Sequence, residues 1–225
     1  MTSKIDNKYN KKKAYKSTKQ VNVSLMNLSF DFGDVFINLD KEGTINGLKK
    51  LGLSHWNEDL NQLNLQFEKG QISEENFLLG VQKHVPNATR EEILDAWNAV
   101  LLDFPLRRLE FLQKLTKKYR LFLLSNTDAI HIETFERENG VSFSRDFYMC
   151  FEKVYFSFEM GMRKPDAEIF NYVLKKHDLS AKRTLFVDDK KENTDAALSL
   201  GIQVWNLQVG KEDVVDLFKK KEFEL

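Results

Sequence analysis

Short apolar runs recur along the chain with room for a helix between them, and each run has the length and composition of a buried strand. Five such strands are predicted, at 25–30, 120–124, 154–156, 184–187 and 203–206. Apolar residues at three- and four-residue spacing predict the helices of the later half, at 105–118, 128–139, 166–177, 191–200 and from about 212 onward. Alternating strands and helices form a parallel sheet covered on both faces, so the predicted fold class is α/β with a Rossmann-like core.

The long interval after the first strand has a different pattern. Four segments have apolar residues at helical spacing, at 43–53, 57–69, 73–84 and 89–101. Thr89 and Glu92 have the spacing of a capping box, which is typical of a helix start. We therefore predict an α-helical unit over 43–103, inserted into a core that is formed by 23–42 and 104–225.

The beginning of the chain differs in composition from the rest. Residues 1–20 contain seven lysines and one aspartate, so the zero net charge combines a tail of +6 with a body of −6. The tail has no apolar period and cannot bury enough surface to offset its ordering entropy, which predicts that 1–22 is disordered. A basic tail can bind nucleic acid or an anionic membrane, but a solvated tail is favoured, and neither partner is expected.

The cysteine content and the lengths of the apolar runs bear on location. The single Cys150 excludes an intramolecular disulfide, so nothing indicates an oxidising compartment. No apolar run approaches the roughly 20 residues that cross a bilayer, and no signal-peptide core is visible. These observations favour a cytoplasmic protein.

Polar residues follow the predicted strands at the points where the strands end. Asp31 follows the first strand, Ser125 follows the second, and Asp188 and Asp189 follow the fourth. Lys164 lies in a loop between them. Because parallel strands bring their carboxyl ends to one edge of the sheet, where ligands bind in such folds, we expect these residues to meet there.

This set of residues has a chemical interpretation. Paired carboxylates suit Mg²⁺, which prefers oxygen ligands and keeps places for water and a substrate phosphate. The Ser125 hydroxyl and the Lys164 ammonium would contact the remaining phosphate oxygens. Asp31 is a candidate nucleophile that would form an aspartyl-phosphate, provided that cations offset the repulsion between the two anions.

Four motifs, FDFGDV, LLSNT, GMRKPD and FVDDKKENTDAA, occur in this order over about 24–210. In order and spacing they resemble the haloacid dehalogenase (HAD) superfamily, in its phosphatase branch with a helical cap after the first motif. The resemblance implies that Asp31 attacks and also binds Mg²⁺, and that the Gly33 carbonyl is a second ligand. It further implies that Asp189 is the third protein ligand, with Asp188 beside it.

The same resemblance implies roles for the other motif residues. Ser125, Asn126 and Lys164 would bind the substrate or its phosphate, with Ser125 and Lys164 also acting in catalysis. Asn193 resembles an Asn of the last motif that anchors a loop or a helix start. The insert over 43–103 would be the cap, which closes over the site and contacts the substrate.

One position departs from the pattern of most phosphatases of the superfamily. These have a second aspartate, two residues after the nucleophile, which acts as general acid and base, whereas this chain has Gly33. Some sugar-phosphate phosphatases of the branch resemble it in this respect. Asp34 is a possible substitute, although we expect its side chain to point to the other side of the turn.

The leading hypothesis is therefore a Mg²⁺-dependent phosphomonoester hydrolase that acts on a small, sugar-like phosphorylated metabolite. One alternative is a metal-independent 2-haloacid dehalogenase, which would leave the Asp188 and Asp189 pair unexplained. The other is a non-catalytic binding module with the same fold, which would have little need of Asp31 and Lys164 together. A metal requirement separates the first two hypotheses.

Overall fold

The computed structural model describes residues 24–223, and the predicted disordered tail lies outside this range. The centre is a five-stranded, all-parallel sheet with the order β3-β2-β1-β4-β5. Its strands are β1 (Asn27–Phe30), β2 (Arg120–Ser125), β3 (Lys153–Phe156), β4 (Thr184–Asp188) and β5 (Gln203–Asn206). The chain passes outward from β1 to β3 and then returns to β4. The sheet therefore has a topological switch point between β1 and β4.

Alternation of apolar side chains along the central strands separates two layers of core. Leu185 and Val187 belong to one apolar cluster, whereas Phe186 between them belongs to the cluster on the opposite face. The helices that follow the first 100 residues cover these faces, namely α5 (Leu106–Leu115), α6 (Ala129–Asn139), α7 (Val141–Tyr148), α8 (Ser157–Met160), α9 (Ala167–Lys176) and α10 (Lys191–Ser199). The predicted α/β fold with a parallel sheet is confirmed.

Four helices lie between β1 and α5, and we call them the helical insert. They are α1 (Gly43–Lys50), α2 (Glu58–Glu68), α3 (Glu74–Gln82) and α4 (Arg90–Asn98). Side chains accept hydrogen bonds from backbone N–H groups at three of the helix starts, and the predicted capping box of Thr89 and Glu92 is present. Apolar residues of the insert form their own buried cluster, to which Ile130 of α6 also belongs.

The two linkers that join the insert to the core pair with each other. The Asn38 N–H donates to the Asp103 carbonyl at 2.9 Å, and the Leu102 N–H donates back to the Asn38 carbonyl at 3.0 Å. Arg108 is buried beneath this pairing, with Nη1 3.0 Å from the Phe36 carbonyl and Nε 3.2 Å from Asp213. The connection is therefore a short antiparallel ladder anchored to the core.

Four elements differ from the expectations for the second half. The helices α7 and α8 and a 3-10 helix (Ala181–Arg183) were not predicted. The helix α7 was missed because only Gly140, at φ 84°, separates it from α6, and no polar linker marks the junction. The segment after 212 forms a 3-10 helix (Val214–Lys219) instead of an α-helix. Its buried Val214 and Leu217 are three residues apart, which places them on one face of a 3-10 helix. Within the described range no helix is both long and apolar enough to cross a membrane.

A close approach between α1 and α4 generates a test of the insert's packing. A Cβ at Gly43 would overlap the Ala99 carbonyl group. Alanine normally stabilises a helix relative to glycine, but Gly43→Ala is expected to lower the free energy of unfolding by about 1–3 kcal/mol through overpacking. Chemical denaturation measures this change. Asn46→Ala, on the exposed face of the same helix, is the control, and equal stability of both variants would contradict the packing.

Candidate active site

The strand register brings two carboxylates to the switch point. Phe30 of β1 pairs with Val187 of β4, so Asp31 and Asp188 each lie one residue beyond the same register position. The Asp31 N–H continues the pairing by donating to the Val187 carbonyl at 2.9 Å. Both aspartates are buried, at 7% and 0% exposure. The predicted meeting of Asp31 and Asp188 at the sheet edge is therefore present in the structure.

Lys164 lies between these two carboxylates. Its Nζ is 2.8 Å from Asp31 Oδ1 and 2.7 Å from Asp188 Oδ2, and its side chain is fully buried. The ammonium also lies over the Phe186 ring, 5.2 Å from its centroid. One buried cation thus links the end of β1 to the end of β4.

Asn126 fixes the backbone at Lys164. Its Oδ1 accepts from the Lys164 N–H at 2.9 Å, and its Nδ2 donates to the Lys164 carbonyl at 2.8 Å. Both polar ends of the amide are used in this way, and the predicted phosphate contact of Asn126 stays a prediction. Ser125, the last residue of β2, is 2% exposed beside it. Its predicted contact with phosphate is likewise untested.

Asn193 orients Asp188 from the start of α10. Its Nδ2 lies 3.1 Å and 2.9 Å from the two Asp188 oxygens, and the Lys190 N–H donates to Asp188 Oδ1 at 2.8 Å. Asp188 therefore receives hydrogen bonds from a helix start in addition to the ion pair with Lys164. This arrangement agrees with the anchoring role that the sequence suggested for Asn193.

Asp189 has a different partner. Its Oδ2 lies 2.8 Å from Lys41 Nζ, and the same ammonium lies 3.1 Å from Asp34 Oδ2. Lys41 belongs to the linker that precedes α1, and its side chain is 57% exposed. Sequence reasoning missed Lys41, because the contact with Asp189 spans 148 residues and no local motif marks it.

Burial and the balance of charges shift the acid strength of the central groups. Burial raises the pKa of Asp31 to about 6. The charge of Lys164 acts to lower this pKa, and the repulsion from Asp188 and Asp189 offsets part of that lowering. Burial acts to lower the pKa of Lys164, but the charges of Asp188 and Asp31 more than offset it and raise the pKa. Lys164 is therefore a permanent cation at neutral pH.

The donor set fits a divalent cation. Carboxylate oxygens of Asp31, Asp188 and Asp189 lie within 4.8 Å of one another. These three carboxylates have two cationic partners, Lys164 and Lys41, of which only Lys164 is buried. The cluster of three aspartates therefore keeps a net negative charge. Oxygen ligands with net negative charge are those that Mg²⁺ prefers. The assignment of Gly33 and of the individual aspartates as ligands stays a prediction.

The turn after Asp31 determines what can replace the missing second aspartate. A Cβ at Gly33 would come within 2.7 Å of Leu39 Cδ1, so the leucine side chain occupies this space. Asp34 is buried, with Oδ1 accepting from the Leu39 N–H at 3.1 Å and Oδ2 paired with Lys41. Its backbone is left-handed, at φ 56°. Both Asp34 oxygens are thus engaged by the linker, and the shared Lys41 ammonium places the Asp34 carboxylate next to that of Asp189. The expectation that Asp34 points to the other side of the turn stays a prediction.

Ion pairs connect the insert to the loop that carries Lys164. Arg163 Nη2 lies 3.0 Å from Glu68 of α2, and Lys69 Nζ lies 3.5 Å from Asp166. The sequence pattern did not identify these partners. The signal that was available is the charge of Arg163, which lies in the GMRKPD motif directly before Lys164.

The sequence and the geometry agree with a known family. The family model described as haloacid dehalogenase-like hydrolase matches residues 28–207. This range contains the helical insert, the strands β2 to β5 and all of β1 except its first residue. The chain belongs to this family of hydrolases, which confirms the resemblance found in the four motifs.

A named relative and a solved structure are similar to most of the chain. D-ribitol-5-phosphate phosphatase from Bacteroides thetaiotaomicron is 27% identical over 198 residues, which are 84% of this chain and 94% of the relative. A HAD family enzyme from the same bacterium, solved as a magnesium complex, is 37% identical, with a TM-score of 0.80. The match covers 88% of this chain and 100% of that structure.

An aspartate-to-alanine variant of that HAD family enzyme was solved in complex with magnesium and inorganic phosphate. It is 36% identical to this chain, with a TM-score of 0.78 and the same shares of 88% and 100%. The similarity therefore extends over the whole of a structure that contains both ions.

Removal of the central cation tests the electrostatics of the site. Lys164→Met, in the absence of Mg²⁺, is expected to lower the free energy of unfolding by about 3–5 kcal/mol, because two buried carboxylates lose their partner. Addition of Mg²⁺ should restore part of this loss. Chemical denaturation with and without the metal measures both effects. Lys191→Met, which removes an exposed ion pair with Asp195, is the control and should change little.

Proposed function

We propose that this protein is a Mg²⁺-dependent phosphomonoester hydrolase in which Asp31 is the nucleophile. The observation that carries the proposal is the contact of one buried ammonium, Lys164, with both Asp31 and Asp188, while an oxygen of a third carboxylate, Asp189, lies within 4.8 Å of oxygens of the other two. The family and its magnesium-bound relatives support a phosphatase that uses Mg²⁺.

The reaction is divided into two displacements at phosphorus. In the first, a carboxylate oxygen of Asp31 forms a bond to phosphorus, the bond to the ester oxygen breaks, and this oxygen leaves as an anion that takes a proton from water. In the second, water hydrolyses the aspartyl-phosphate to release inorganic phosphate and restore Asp31. Lys164 keeps Asp31 ionised and oriented, and its positive charge offsets the approach of two anions.

Mg²⁺ would be bound by Asp31, the Gly33 carbonyl and Asp189. Asp188 would be a further ligand or would lie beside Asp189. When bound, Mg²⁺ stabilises the charge on the phosphoryl oxygens. Asn193 and the Lys190 N–H would hold Asp188 in place for this purpose. Ser125 would donate to a phosphate oxygen. Asn126 would act by fixing the backbone of Lys164.

Two observations support a proposal for the substrate class, namely the named relative and the helical insert. D-ribitol-5-phosphate phosphatase takes its name from the phosphate ester of a small sugar alcohol, and we propose a similar polyol or sugar phosphate for this chain. The helical insert at 43–103 would be the cap that encloses the part of the substrate beyond the phosphate. The ion pair between Glu68 and Arg163 supports this position, because Arg163 lies in the loop that contains Lys164.

A metal-independent dehalogenase is not favoured by the geometry. Such an enzyme has no need for three carboxylates within 4.8 Å of one another, whose mutual repulsion is costly without a cation. A non-catalytic module would likewise have no need for a nucleophilic carboxylate beside a buried lysine. The metal dependence of turnover distinguishes the three possibilities.

Substitution of the nucleophile tests the proposal directly. Asp31→Asn keeps the shape of the side chain and removes the attacking charge, so hydrolysis of an aryl phosphate is expected to fall below detection. Excess chelator should also abolish the activity of the unmodified protein, and Mg²⁺ should restore it. Release of phosphate measures both effects. Full activity of Asp31→Asn or in chelator would overturn the mechanism.

The roles of the neighbouring aspartates are separated by their Mg²⁺ requirements. Asp189→Asn is expected to raise the Mg²⁺ concentration needed for half-maximal activity more than Asp188→Asn does, and calorimetry of Mg²⁺ binding should give the same order. Asp195→Asn, on the exposed side of α10, is the control. The reverse order would identify Asp188 as the direct ligand.

The absence of an acid at Gly33 predicts a preference among leaving groups. A positioned acid contributes roughly 10²–10⁴-fold, most of all when the leaving oxygen is a poor one. Without it, kcat/KM is expected to fall steeply as the leaving-group pKa rises across a series of aryl phosphates. A sugar 1-phosphate should be hydrolysed faster than its 6-phosphate isomer.

The name of the relative D-ribitol-5-phosphate phosphatase suggests the opposite outcome, because D-ribitol 5-phosphate is an ester of a primary alcohol, which is a poor leaving group. A flat dependence on leaving-group pKa, together with preference for D-ribitol 5-phosphate or a 6-phosphate, would show that another residue donates the proton. Asp34→Asn would then identify or exclude Asp34 as the donor.

A further inference from the structure

Three side chains connect the helical insert to the core at a point separate from the carboxylates. Trp97 lies in α4 of the insert, whereas Asp128 and His131 lie at the start of α6. Trp97 and Asp128 are 4% and 1% exposed, and the His131 side chain is 17% exposed. We call this group the tryptophan-histidine cluster. The catalytic steps proposed above do not use it.

Two contacts of the cluster cross between insert and core. The Trp97 indole N–H donates to Asp128 Oδ2 at 3.1 Å, and His131 Nε2 lies 3.1 Å from the Trp97 carbonyl oxygen. The two rings are stacked, with centroids 5.5 Å apart and an interplanar angle of 2°. Ile130, next to His131, is buried in the apolar cluster of the insert.

Both ring nitrogens of His131 face oxygen atoms that accept hydrogen bonds. Nε2 faces the Trp97 carbonyl, and Nδ1 lies 3.0 Å from Asp128 Oδ2. A neutral imidazole has one N–H, so one of its nitrogens would direct a lone pair at an oxygen. Only the imidazolium ion donates to both. The geometry therefore specifies the charged form of His131.

The position of the cluster relates it to the active site. Asp128 is the N-cap of α6, and its Oδ1 accepts from the backbone N–H of His131 at 3.0 Å. It comes directly after Ser125, Asn126 and Thr127 in the chain. The cluster thus joins the segment that carries the proposed phosphate contacts to helix α4 of the insert. Thr44 of α1 donates to the same Trp97 carbonyl at 2.9 Å, which extends the connection to a second helix of the insert.

We propose that His131 is a positioning residue whose imidazolium ion holds the insert against the core in the arrangement required for substrate binding. This inference rests on the proposed function, since it assigns the insert a place over the phosphate. His131 touches no reacting atom in this scheme. It acts through Trp97 on the insert and through Asp128 on the start of α6.

The charges around His131 determine the pH range of this contact. Burial acts to lower the pKa of His131, but the charge and hydrogen bonds of Asp128 outweigh it, with a further contribution from Glu68 of α2, and the pKa is raised. Helix α4 presents neutral groups, the ring and carbonyl of Trp97. Glu68 is itself paired with Arg163. The contact is complete below the ordinary histidine pKa of about 6.5 and is lost as pH rises through the raised value.

The ionisation of His131 is measured by NMR titration of the four histidines in the full chain, with His131→Gln used to assign its signal. We expect a pKa above 6.5 in the unmodified protein. Asp128→Asn keeps a good helix cap but removes the charge, and it should lower the pKa of His131. A His131 pKa at or below 6.5, or one that Asp128→Asn leaves unchanged, would overturn the proposal.

The positioning role is measured by kcat/KM as a function of pH. His131→Gln is expected to lower kcat/KM about tenfold near pH 6.5, the size expected for loss of a hydrogen bond from a charged donor. The difference from the unmodified enzyme should close at alkaline pH, where His131 is neutral. His55→Gln, the same substitution at an exposed histidine of the insert, is the control. A loss that is equal at every pH would show a purely structural role and overturn the proposal.

The two measurements separate this proposal from the proposed function. The NMR titration reports on His131 whether or not the protein hydrolyses a phosphate ester. If His131→Gln fails to fold, substitution of His55, His84 and His177 assigns the His131 signal by elimination. Activity that disappears in chelator, combined with a normal His131 pKa, would leave the phosphatase assignment intact and reject the positioning role.

Discussion

The ion pairs of Lys164 are the constraint on which the rest of the site depends. A fully buried ammonium is tolerated only because two carboxylates, from strands that are neighbours in the sheet, face it at 2.7–2.8 Å. Those carboxylates are equally dependent on the lysine, since burial without a cation would neutralise them. The switch point between β1 and β4, the loop before α9 and the start of α10 are thereby fixed relative to one another.

The strand pattern predicted most of this arrangement from the sequence. The apolar runs of β1 and β4 indicate where each strand ends, and parallel strands place those ends together, so Asp31, Asp188 and Asp189 were expected at one edge with Lys164 beside them. The motifs then suggested a role for each of these residues. Local patterns also identified the capping box at Thr89, since its hydrogen bonds span only three residues.

Contacts between segments far apart in the chain could not be predicted in this way. Lys41 with Asp189, Arg163 with Glu68, and Trp97 with His131 each depend on where the insert lies on the core, which no local period encodes. The junction of α6 and α7 was missed for a different reason. A single glycine with positive φ turns the chain there, and the apolar spacing continues on both sides.

The position of Leu39 has a consequence for how this sequence could change over evolutionary time. Its side chain fills the space beside Gly33 while its backbone belongs to the linker that pairs with Leu101. An aspartate at position 33 would therefore require the end of the Leu39 side chain to turn aside, or a smaller residue at 39. The two positions are coupled in this way, and a general acid at 33 would be regained together with an adjustment in the linker.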